Sequence, residues 1–281
     1  MKKIVCLALA AIMLVSVFAF TSCTANEKAI KVIDIKLTDE QYAYAVKKGD
    51  AELLASLNAF LANIKANGKF DEILNKYFAE GGTPTAVVSA TKDESKDQIV
   101  VATNAAFAPF EYKEGNNYYG VDMEIMKLYA DSVGKELVID NMDFDAVCTS
   151  VGQGKCDIAA AGLTVNEKRK EIVDFTDSYY DASQMLVVLA DNTAFDACKT
   201  AADVEAILSA YGADVKCGVQ GGTTGAFYAK GDEDWGFDGF AFTTKDYPNA
   251  GLAVKDMQNG NLSFVIIDEA PAKRLVETIN G

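Results

Sequence analysis

Residues Ala159 to Arg169, AAAGLTVNEKR, end an apolar run at Gly162, place a threonine at 164 and an arginine at 169, where a helix could begin. That order suits the holding of an anion. Backbone N–H groups converge at a strand-to-helix turn, a hydroxyl adds a donor, and a guanidinium offers a carboxylate two parallel hydrogen bonds. An ordinary strand-to-helix connection, with a solvated helix carrying Glu167, Lys168, Arg169 and Lys170, has the same pattern.

Other apolar runs end in groups that complement such a seat. Ile99–Thr103 leads into Asn104-Ala105-Ala106-Phe107-Ala108-Pro109-Phe110-Glu111-Tyr112, whose rings could cover a ligand with a flat apolar face, and Phe144 could close the other side. Core packing is the usual fate of such phenylalanines. Lys216–Gln220 leads into Gly221-Gly222-Thr223-Thr224-Gly225, a turn with unobstructed N–H groups at a helix start, though it lacks the lysine of a phosphate loop. Phe264–Ile267 ends at Asp268, which could accept hydrogen bonds from an ammonium group or cap the following helix. Arginine for a carboxylate, aspartate for an ammonium and aromatic faces between them describe an α-amino acid pocket.

These groups meet only if strands and helices alternate so that strand ends share one edge. The apolar patterning supplies that alternation. Strands are expected at Ile99–Thr103, Leu137–Asp140, Ile158–Gly162, Met185–Leu189, Lys216–Gln220 and Phe264–Asp268. Helices are expected at Asp122–Val133, Asp143–Val151, Ala201–Ser209, Thr224–Ala229, Ala250–Asn259 and Glu269–Glu277. This is an α/β architecture with largely parallel sheets, which binds ligands at the carboxyl ends of its strands. Ahead of it lie a strand at Ile30–Leu37 and a helical hairpin over 50–78, whose apolar stripes are separated by Asn67-Gly68. The Ser-, Thr- and Lys-rich stretch 79–97 reads as an exposed linker.

The chain has 281 residues, half of them hydrophobic, enough for two modest cores. A net charge of −15 argues against nucleic acid as a partner. With no histidine, neither a histidine-activated nucleophile nor a histidine-ligated metal site can be built. No metal or cofactor is expected. Lys2 and Lys3, an apolar stretch to Phe20, and Thr21-Ser22-Cys23 read as a bacterial lipoprotein signal, with acylation at Cys23 in place of a membrane span. Cys148, Cys156, Cys198 and Cys217 remain; export permits disulfides and proximity favours 148 with 156 and 198 with 217, against four free thiols.

The segments AAFAPFEY, VDMEIMKLYADSVGKEL, GLTVNEKR, FTDSYYDASQMLVV, VQGGTTG and IIDEAPA resemble the amino-acid-binding (family 3) solute-binding proteins of bacterial ABC importers. The resemblance runs from Ile30 to the end and implies a two-lobed periplasmic-binding-protein type II fold, each lobe a mostly parallel sheet flanked by helices. It implies that Arg169 holds a ligand carboxylate with donors from Thr164 and Gly162, and that Asp268 takes the ammonium. Thr223 adds donors from the second lobe, and Phe107 packs on the ligand opposite Phe144. Asn104 and Gln220 fall where the family varies to suit the side chain; both are uncharged, which favours a small or neutral polar amino acid, although Glu111 is close in sequence.

The segments are out of the family's order. The pieces YAYAVKKGD and the helix hairpin ending in KYF, which usually close the chain, come first here, as in a circular permutation whose old ends are joined by 79–97. A fusion remnant that needs a second copy is the rival. The expected organisation is a signal at 1–22, a tether at 23–29, one lobe over 42–182 with its core at 98–182, and a second lobe over 183–281 plus 30–37. The resemblance implies a monomeric, lipid-anchored protein on the outer face of the membrane that captures an amino acid by hinge closure and delivers it to an ABC permease. A dehydratase using Glu111 or Asp268 as proton donor, or a sensor without transport, are the alternatives.

Overall fold

Alternating apolar positions let one strand serve two cores, because successive side chains leave a sheet on opposite faces. In the computed structural model, which describes residues 28–281, Gln98–Thr103 does this. Val100 and Ala102 pack with Val138 and Ala159 under the helix Phe144–Gly152, whose Val147 and Val151 are buried. Ile99 and Val101 face the other way, toward Leu137, Ile139 and the helices Ala51–Ala66, Lys69–Phe78 and Val121–Ser132. The expected signal and Cys23 lie outside the described residues.

The protein is a two-lobed mixed α/β fold. The first lobe's sheet has the order Val173–Phe175, Ala45–Lys47, Ile158–Ala159, Gln98–Thr103, Glu136–Asn141. The second lobe's sheet runs Ile30–Ile33, Gln184–Leu189, Phe264–Asp268, Lys216–Gln220, Thr243–Tyr247. Parallel pairing holds where helical crossovers link the strands. It gives way to antiparallel pairing where Ala45–Lys47, Ile30–Ile33 and Gln184–Leu189 enter from other directions, so each sheet is mixed rather than largely parallel.

The chain crosses between lobes through a short antiparallel pair, Glu40–Tyr42 with Tyr180–Ala182. On the second lobe, Leu186, Val188, Val219 and Ile266 face the helices Ala201–Ser209 and Thr224–Lys230, while Val187, Val265 and Ile267 face Ala250–Gln258. Among the described residues no helix is long and apolar enough to cross a membrane.

Three local expectations need correction. The first strand stops at Ile33, where Ile35 N–H turns back to the Ile33 carbonyl, although Leu37 N–H still reaches Gln184 O at 3.0 Å. The stretch 79–97 is not a free linker, because Val87 is buried and exchanges backbone hydrogen bonds of 2.8 and 2.9 Å with Tyr118. The third concerns cysteines: Cys148, Cys156, Cys198 and Cys217 are all free thiols. Cys156 is buried, taking the Ser150 hydroxyl at 3.1 Å, and Cys217 is sealed in its strand with Sγ 3.5 Å from Gly218 O. Proximity in sequence does not bring Cβ atoms to bonding distance.

Candidate functional site

Gly162 terminates the first lobe's central apolar run at a φ of +50°, a region open to glycine and strained for other residues. A Cβ there would lie 2.7 Å from the Phe107 ring, so the glycine also lets the ring close over the backbone. Its N–H donates to Asp122 Oδ2 at 3.0 Å, and Tyr44 O–H donates to Oδ1 of the same carboxylate at 3.2 Å. Asp122, at the start of its helix, thereby fixes the turn. Burial raises its pKa to about 6, against the pull of these donors.

Arg169 follows within the short helix Glu167–Lys170, which Asn166 caps by accepting from the Arg169 N–H at 2.8 Å. Its Nη1 donates to Thr164 O at 2.6 Å, and its Nη2 crosses the cleft to Gly222 O at 3.2 Å. The guanidinium carbon stands 5.4 Å from the Phe144 ring centre on the same lobe and 5.3 Å from that of Trp235 on the other. The Thr164 hydroxyl donates to Glu40 Oε2 at 2.7 Å, so it belongs to the hinge as much as to the cleft.

On the second lobe, Asp268 begins the helix Glu269–Asn280 but makes no side-chain cap, which removes the capping explanation for it. Its Oδ1 instead accepts from Tyr42 O–H at 2.5 Å, and burial beside the Glu40 carboxylate raises its pKa. The Thr223 hydroxyl donates to Gln220 O and caps the Thr224–Lys230 helix by accepting from Ala226 N–H. Gln220 Nε2 donates across the cleft to Asn104 Oδ1 at 3.0 Å, while Asn104 Nδ2 is held by Met142 O at 2.7 Å.

Every ligand-binding candidate from the sequence meets at one narrow cavity between the lobes. Arg169, Asp268, Thr164, Gly162, Thr223, Phe107, Phe144, Asn104 and Gln220 all line it, with Glu111, Ala161 and Thr224. Only about 20 Å³ of it is open to the centre of a water molecule, far below the roughly 300–1,000 Å³ usual for small-molecule sites, so the two walls stand nearly in contact and would have to part to admit a ligand. Glu111, which the sequence offers as a proton donor of the dehydratase alternative and as a complication for a neutral ligand, is wholly buried, and neither carboxylate oxygen accepts a hydrogen bond. Burial and then the Asp122 charge raise its pKa well above the usual carboxylate value. Asp122 and Tyr42 lie in family-like segments but had no role legible there, and Glu40 and Trp235 lie outside those segments; the roles of all four depend on contacts between distant parts of the chain. Among the described residues, no group of three or more His, Cys, Asp or Glu side chains could hold a metal.

The family model of bacterial extracellular solute-binding proteins, family 3, matches residues 9–80 and 99–266, well over half of the chain. The chain belongs to that family. Among its family 3 relatives, the arginine-binding extracellular protein ArtP of Bacillus subtilis is 37% identical over 36% of this chain and 39% of its own. A probable histidine-binding protein of Neisseria gonorrhoeae is 28% identical over 60% and 58%. The chain thus spans about two- to three-fifths of the length of these relatives. An arginine-bound ArgBP from T. maritima is 30% identical with a TM-score of 0.54, covering 65% of this chain and 78% of that one. An ancestral amino acid-binding protein described as a precursor of cyclohexadienyl dehydratase is 28% identical with a TM-score of 0.56, covering 65% and 74%.

Proposed function

We propose that this family 3 protein is the capture subunit of an ABC importer, held on the outer face of the membrane by lipid on Cys23, and that it takes up a free L-amino acid by closing its lobes. The reading rests on Arg169 and Asp268 at one cavity between the lobes: a guanidinium to pair with a carboxylate, and a carboxylate to accept an ammonium. Phe107 and Phe144 would flank the ligand. Contacts to both lobes favour the closed state, which a permease would then meet.

Glu111 turns the expected ligand from neutral toward basic. A buried carboxylate without donors is costly to ionise, and a ligand cation that ionised it in place would recover that cost. Relatives named as arginine-binding agree, and ancestral arginine-binding proteins have been solved with arginine and with glutamine. Calorimetry with the L-amino acids tests this. L-Arginine should bind more tightly than L-glutamine, and a preference for a small aliphatic amino acid would reject the cationic reading.

The same Glu111, held as the acid by its surroundings, favours a second reading in which it protonates a leaving group in a dehydratase. Recovery of the unaltered amino acid after incubation supports capture, and conversion of a cyclohexadienyl acid supports the enzyme.

The circular permutation is also proposed. Asn280 holds Ile30 by accepting from its N–H at 3.1 Å and donating to its carbonyl at 2.8 Å, so the start of the first strand and the end of the last helix adjoin. A ligand-binding monomer in sedimentation supports permutation, and binding confined to a dimer supports the fusion remnant.

A further inference from the structure

The chain has a single tryptophan, and it stands at the mouth of the cleft on the lobe opposite Arg169. The segment that carries it closes on itself: Asp232 and Phe237 exchange backbone hydrogen bonds of 2.9 and 3.0 Å, and Gly236 turns the chain at a φ of +71°. Phe227, on the helix that follows the Gly221–Thr223 turn, stacks behind the indole at 5.2 Å, and Phe237 lies at 6.4 Å. The ring is therefore held in place before it meets the other lobe. Its Nε1–H is shut away without an acceptor, so attraction comes through the ring face, where a guanidinium is favoured.

Beside this contact, Lys168 Nζ reaches Asp234 Oδ2 at 3.2 Å and Asp232 Oδ2 at 3.8 Å across the same gap. Lys168 and Asp234 are more than half exposed, so this pairing should add little beyond steering. The aromatic contact, between two half-buried side chains, is the stronger of the two.

We propose that Trp235 is a positioning residue for ligand capture. Presented by the second lobe, it lies against the Arg169 guanidinium on closure, fixes the fork that receives the carboxylate and slows reopening. This rests on the reading of Arg169 as the carboxylate anchor. An interaction made only in the closed form acts on the dissociation rate rather than on encounter.

To test it, L-arginine is titrated into the full-length protein while Trp235 emission and binding heat are followed together. The emission should shift to the blue and saturate with the heat. Trp235→Leu should speed dissociation about tenfold while changing association less than about twofold, and Trp235→Phe should restore most of the loss. An emission that stays fixed while heat reports binding, or an unchanged dissociation rate in Trp235→Leu, overturns the proposal. Absence of heat with L-arginine would count against the basic amino acid reading alone, and the latch is then decided without ligand. Arg169→Ala, which takes the guanidinium away from the indole face, should make Trp235 more accessible to acrylamide in the free protein, and unchanged quenching overturns the latch.

Discussion

The two walls of the cleft are built differently. The first lobe brings Arg169, Glu111, Gly162 and two phenylalanines, backed by a buried layer in which Tyr42, Tyr44 and Tyr179 surround Asp122 and Glu111. Tyr44 and Tyr179 stack at 4.4 Å, and Tyr42 meets Phe110 edge-on at 5.1 Å. The second lobe brings a cap hydroxyl already committed to its helix, an amide, a backbone carbonyl and the Trp235 face; its charged group in the cavity, Asp268, is tied to the hinge strand through Tyr42. Two of the three charged side chains at the cavity, Arg169 and Glu111, stand on the first wall, and the second adds Asp268 and otherwise mainly supplies closure. A ligand's carboxylate and side chain would therefore be recognised on the first lobe, and the second would take its ammonium and retain it.

Removing the anchor of the first wall should have the largest effect. Arg169→Ala is expected to weaken L-arginine binding by roughly a hundredfold or more, the scale for losing one partner of a buried charged pair. Calorimetry with both forms checks this, and unchanged affinity would move the carboxylate elsewhere. Glu111→Gln should come next, costing L-arginine about ten- to a hundredfold while leaving L-glutamine within a few-fold. Equal losses for both ligands would separate Glu111 from side-chain recognition.

Glu111 also sets a pH signature whose two halves have opposite signs. Its pKa in the fold is raised above the ordinary 4.5, so the folded state holds a proton that the unfolded chain releases. The stability this contributes is full below that ordinary value and is lost as pH rises through the raised one. Glu111→Gln should therefore melt higher than the parent at mildly alkaline pH, with a flatter dependence of Tm on pH. Cation binding needs the ionised forms of Glu111 and Asp268, whose pKa is also raised, so affinity for L-arginine should fall as pH is lowered. A melting curve parallel to the parent at every pH would refute the buried acid.

The legible part of this site was the part carried by long apolar runs. Lys216–Gln220 and Phe264–Asp268 fold with the bounds their patterning predicts, so Gln220 and Asp268 fall at strand ends as expected. The hairpin strands Ala106–Phe107, Glu111–Glu114 and Asn117–Tyr119 are too short and mixed for a period of two to register, and the region reads as an aromatic turn. Yet that hairpin is what sets Glu111 in the core. Thr243–Tyr247 escapes for another reason: it is a polar edge strand with no apolar alternation. The hinge pair and the Trp235 contact join distant segments, and nothing local in either segment encodes the other.

Gln220 offers the finest division between the walls, because its amide is the second lobe's side-chain bond to Asn104 on the first. A neutral hydrogen bond of this kind contributes about 1 kcal/mol, so Gln220→Ala should weaken binding about fivefold. The loss has a distinctive form if the second wall retains the ligand without selecting it. L-Arginine and L-glutamine should weaken by the same factor, and the change should lie in dissociation. A factor that differed between the two ligands would place Gln220 in side-chain selection and erase the division. Asn104→Ala distinguishes the remaining case, since it removes the same cross-cleft bond from the other side but also frees Met142 O. If Gln220 acts through that bond alone, the double variant should lose no more in dissociation than Asn104→Ala does.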